Sequence, residues 1–124
     1  MRPENCARVS AILNAMRNLL LQVHEYDRAY HLELLLNAIN DTPQDVLDVL
    51  ESVEFWGGAG SFSDLYFTAS NGNVSDDFQR DNHEYANLLA KLIDVLKAEG
   101  FDNPRMRGLR DHFSNVYTKD LRVN

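Results

Sequence analysis

Cysteine is almost missing from this chain: Cys6 stands alone among 124 residues. Within these residues an intramolecular disulfide and a cysteine-based zinc site are excluded. Long apolar runs are missing too, and nothing approaches the roughly 18 consecutive apolar residues of a membrane-spanning helix. The first run, Leu19-Leu20-Leu21, follows Arg8 and Arg17 in a helical pattern, unlike the layout of a signal peptide. Positive charge is scarce in the middle. Residues 41–84 hold ten acids (Asp41, Asp45, Asp48, Glu51, Glu54, Asp64, Asp76, Asp77, Asp81, Glu84) against Arg80 alone, a net −9. Nucleic acid and anionic membrane both require a positive footprint, so neither is expected as a partner. The expectation is a reduced, soluble, cytoplasmic protein.

What is present is a globular composition. Hydrophobic residues make up 44% and charged residues 25%, so a packed core is expected rather than disorder. A length of 124 residues matches one domain, residues 1–124. Residues 101–124 reverse the charge trend, with five bases against three acids.

Helical spacing dominates. Val9, Ile12, Leu13, Met16, Leu19, Leu20 and Val23 recur every three to four residues, one stripe of a helix over about Glu4–His24. Leu32, Leu35, Leu36 and Ile39 make a second stripe, with Leu34 off its main face. No glycine or proline separates the two. A helix pair joined near Tyr26–Arg28 is preferred over one long helix, because helices beyond thirty residues are rare in small domains. Asp41-Thr42-Pro43-Gln44-Asp45 reads as a helix start, with Thr42 as N-cap and Pro43 in the first helical position. Val46, Leu47, Val49, Leu50 and Val53 supply its buried side, Asp45, Asp48, Glu51 and Glu54 the opposite one. Its end is expected near Glu54.

A glycine-rich bend follows, and then Leu65-Tyr66-Phe67-Thr68 has the content of a short strand. Asn71-Gly72 is a hairpin-turn signal and Val74 lies on the returning arm. A loop over residues 69–80 competes with that hairpin. Asp81 or Asn82 is placed to cap the next helix, Tyr85 through Leu96 give its apolar face, and Gly100 suits the position just past its end. A final helix is expected over about Met106–Tyr117. The expected fold is mainly α: a compact bundle of four to five helices with one small β-hairpin after the bend.

The bend itself, Phe55 to Leu65, packs three glycines, two serines and three aromatics into eleven residues. A phosphate loop would need a lysine after its last glycine, and a dinucleotide loop a preceding strand. Here Ser61-Phe62 follows, no base lies between Glu54 and Arg80, and a helix precedes. A structural corner fits better. Gly57 or Gly58 ends the third helix, Trp56 and Phe62 bury themselves on either side, and Ser61 with Asp64 is spaced as a capping box. Trp56-Gly57-Gly58-x-Gly60-Ser61-x-x-Asp64-Leu65 resembles the centre of a group of small bacterial domains of unknown function. The resemblance implies a bacterial, cytosolic, single-domain protein, with no activity attached.

Chemistry-bearing residues are few. His24, Asp27 and His31 fall at i, i+3 and i+7, which one continuous helical face would bring together. Metal helices favour i, i+4, and this region is the expected joint, so packing or exposed histidines are the better reading. Cys6 in a first turn reads as a small buried residue. No metal, cofactor or catalytic group is expected. Two function classes remain. The favoured one is a protein–protein interaction domain, in one form immunity- or antitoxin-like, binding a basic partner through Trp56, Phe62, Asp64, Tyr66, Asp45, Asp48 and Glu51. The alternative is a ligand-binding or catalytic domain using residues 56–65. Homodimerisation suits either, with Leu34 expected at such an interface.

Overall fold

A computed structural model describes residues 1–57, 60–67, 78–102, 106, 108–110 and 112. Helix α1 spans Pro3–Gln22 and α2 spans Tyr26–Ala38. All seven expected stripe residues, Val9 to Val23, are buried, as are Leu32, Leu35 and Ile39, while Leu36 is partly so. The two helices are separate and pack on each other as a hairpin. Their joint lies at residues 23–25, ahead of the expected Tyr26–Arg28. It is a Schellman closure: the Glu25 N–H donates to Leu20 O at 2.8 Å and the His24 N–H to Leu21 O at 3.2 Å. His24 takes the left-handed position, with φ of 65°.

Helix α3, Pro43–Leu50, starts where expected, although Thr42 contributes backbone rather than a side-chain cap. Its hydroxyl donates back to Ala38 O at 3.2 Å. The expected run to Glu54 is corrected: Ser52 interrupts it and starts a separate four-residue helix, α4, Val53–Trp56. The Ser52 hydroxyl donates to Val49 O at 2.6 Å and accepts from the Glu54 N–H at 3.3 Å. That restart resets the helical register. Val53, expected in the core, is instead 78% exposed, and Phe55 and Trp56 are buried in its place.

A single 3-10 turn, Phe62–Asp64, leads into extended backbone at Leu65. The expected hairpin is corrected in its first arm, because no strand occurs among the described residues. Phe67 pairs instead with a side chain. Its N–H donates to Asn82 Oδ1 at 2.8 Å, and its carbonyl accepts from Asn82 Nδ2 at 3.0 Å. One buried carboxamide thus takes the place of a neighbouring strand. Asn71-Gly72 and Val74 lie outside the described residues.

Helix α5, Phe78–Ala98, packs along α1. Asp81 and Asn82 are not its caps; they lie inside it and are buried. The far end closes as expected on Gly100, at φ 95°, with Phe101 N–H to Leu96 O at 3.0 Å and Gly100 N–H to Lys97 O at 2.9 Å. Glu99 then ties α5 to the start of α1, accepting from the Asn5 amide and from Arg2 Nε at 3.2 Å. These bonds hold the Glu99 carboxyl below the ordinary range, the Asn5 bond most of all. Met106, residues 108–110 and His112 are helical, as expected for the last helix, whose continuation lies outside the described residues. Among the described residues no helix is long and apolar enough to cross a membrane.

Candidate functional site

The bend is a corner built from the inside. Phe55 and Phe62 stack with centroids 4.4 Å apart and planes 13° apart, and His31 of α2 meets the Phe62 ring edge-on at 5.7 Å. Trp56 is buried with its indole N–H donated to Leu50 O at 2.7 Å. From α5, Tyr85 donates its hydroxyl to Phe62 O at 2.8 Å. Burial pushes the Tyr85 phenol well above its usual pKa, so it acts as a fixed donor across the ordinary pH range. From α2, Arg28 reaches Gly60 O at 3.1 Å while bonded to Glu25 at 3.1 Å. Gly60 sits at φ 87°, a conformation that side chains rarely adopt. The expected capping box does not form. Ser61 pairs its hydroxyl with that of Ser63 at 3.1 Å, and only its carbonyl meets the Asp64 N–H.

The sequence-expected contact residues therefore divide. Trp56 and Phe62 present almost no surface and hold the corner from within. Asp45 and Asp48 are exposed on α3, Asp48 accepting from Gln44 at 3.0 Å. Glu51 is half-buried past the end of α3. Partial desolvation, and secondarily the Asp48 charge, raise its carboxyl above the ordinary value. Asp64 and Tyr66 are exposed and come together at a cavity of ≈ 310 Å³. Ser63–Tyr66 form one side of it, and Asn82, Tyr85, Ala86 and Leu89 of α5 the other, with His112. The polar atoms of Asn82 and Tyr85 are already engaged by Phe67 and Phe62. Trp56 does not line this space.

The histidines of the expected joint do not converge. His24 stacks on Tyr26 at 5.3 Å, whereas His31 contacts Glu54 at 3.4 Å. Among the described residues no three His, Cys, Asp or Glu side chains group as a metal site. Sequence reasoning missed two exposed aromatics, Tyr26 and Tyr30, which share helical spacing with Leu34. That i, i+4, i+8 pattern was the signal available.

Comparison with protein-family models, curated proteins and solved structures gave no match. The functional reading therefore rests on geometry and charge.

Proposed function

We propose that this chain is a small bacterial, cytoplasmic interaction domain that presents an acidic surface to a basic protein. An immunity- or antitoxin-like protein that neutralises a basic toxin is one concrete form. The observation supporting it is the net −9 of residues 41–84, with Asp45, Asp48, Glu54 and Asp64 all exposed. Complementary charge of this kind chiefly speeds encounter and selects the partner. Reversing Asp45, Asp48 and Glu51 to lysine is expected to slow capture of the basic partner by about tenfold or more at low salt. Unchanged capture at both low and high salt ends the proposal.

A second reading is favoured by the cavity beside the bend: a small ligand held against Ser63, Asp64 and Tyr66. It predicts thermal stabilisation by a nucleotide, phosphate or metal, weakened in Asp64→Asn. A screen without stabilisation, and a native mass spectrum free of adducts, removes it.

A further inference from the structure

Helix α2 leaves one face uncovered. Its exposed residues are Tyr26, Asp27, Tyr30, Glu33, Leu34 and Asn37, which at 3.6 residues per turn fall on one continuous stripe. Tyr26, Tyr30 and Leu34 run along its middle and are 56%, 62% and 49% exposed. Glu33 flanks them on one side and Asp27 on the other. The only arginine or lysine of α2, Arg28, lies on the far side, bonded to Glu25 and Gly60.

Tyrosines of this kind are favoured interface anchors, with an apolar ring, a polar tip and few rotamers to lose. Their ring faces also attract cations. An apolar strip between two carboxylates, with no arginine or lysine of α2 on the face and His24 stacked at its Tyr26 end, is complementary to a strip bordered by bases. We infer that this face seats a helical segment of a partner protein, with apolar residues along its centre and lysines or arginines on both flanks. The inference rests on the basic-partner reading and moves the principal contact from the α3 acids to α2. A second copy of the chain fits poorly. Antiparallel packing centred on Tyr30 sets Asp27 of one copy against Glu33 of the other, and parallel packing sets like charge against like.

The probe is a synthetic helical peptide with a leucine strip flanked by lysines, titrated into the isotopically labelled chain and followed by amide chemical shifts. A matching peptide with glutamate in place of lysine is the control. Shifts confined to residues 26–37 are expected for the lysine peptide alone. Tyr30→Ser with Leu34→Ser, or Asp27→Lys with Glu33→Lys, is expected to weaken binding by about tenfold or more. All four positions are exposed, and circular dichroism checks that the fold is kept. Reversal of Asp45 and Asp48 should weaken binding of the lysine peptide less than Asp27→Lys with Glu33→Lys does, since those charges lie off this face and act on it only through long-range attraction. Lysine-peptide shifts on α3 instead would overturn the α2 surface while leaving the basic-partner reading intact. Equal binding of the glutamate peptide, or none of either, overturns the α2 surface as well. So does a dimer in sedimentation equilibrium that Leu34→Ser dissociates.

Discussion

The α1–α2 hairpin and the corner of residues 50–57 and 60–67 both send side chains into the core, yet they are held by different forces. In the hairpin, Leu13, Met16 and Leu20 of α1 and Leu32 of α2 are buried in the apolar core, and each helix satisfies its own backbone. In the corner the backbone turns too often to satisfy itself. Trp56, Asn82, Tyr85 and Arg28 supply side-chain partners to Leu50, Phe67, Phe62 and Gly60. The difference teaches where each region should break. The hairpin should respond to lost volume, the corner to lost volume and also to single polar atoms.

The largest effect is expected where the corner's ring stack is emptied. Phe55→Ala should cost about 4 kcal/mol in urea denaturation, and Leu20→Ala in the hairpin about 3 kcal/mol. These two alone would not separate the regions. Tyr85→Phe does, because it removes one oxygen and almost no volume. It leaves the buried Phe62 carbonyl without its donor, at about 1–2 kcal/mol. A volume-conserving swap in the hairpin, Leu20→Met, should stay below about 1.5 kcal/mol.

The hairpin's own weak point is its joint. His24 occupies a left-handed position that costs a side-chain residue about 1 kcal/mol, so His24→Gly should raise stability by up to about that amount. The opposite sign would mean that the stacking of His24 on Tyr26 outweighs backbone strain. The smallest effect concerns the clasp between α1 and α5. The Glu99 carboxyl is held below its unfolded value, so its contribution is fully present above that value and is lost as pH falls through the lower folded one. Glu99→Gln is expected to be less stable than wild type at pH 7. The gap should close progressively below about pH 4.3 in acid titrations followed by circular dichroism. A constant gap would mean that the charge contributes nothing.

The same contrast explains what was readable in advance. The α1 stripe was legible at all seven positions, because a regular helix translates spacing directly into burial. Gly100 was legible as a helix stop, but the identical closure at His24 was not, since histidine is far less diagnostic of φ > 0 than glycine. Val53 was misplaced because one hydroxyl, on Ser52, restarts the helix and rotates everything after it. The strand expected at Leu65–Thr68 does not form over Leu65–Phe67, because Phe67 finds its backbone partner in a carboxamide fifteen residues on rather than in a second strand. Nothing local in Asn82 announces that role. Of the candidate contacts, Asp45, Asp48, Asp64 and Tyr66 are exposed and Glu51 is half-buried. Trp56 and Phe62 had been assigned both to the core and to a partner, and the core holds them.

The central claim is that the corner takes its shape from side chains on neighbouring helices, Asn82 above all. Hydrogen exchange at the Phe67 amide tests it directly, in the wild type and in the near-isosteric Asn82→Leu. The account predicts a protected amide that exchanges at least about tenfold faster in the variant, while amides within α1 change less. A Phe67 amide that exchanges freely in the wild type, or equally slowly in both proteins, would contradict it.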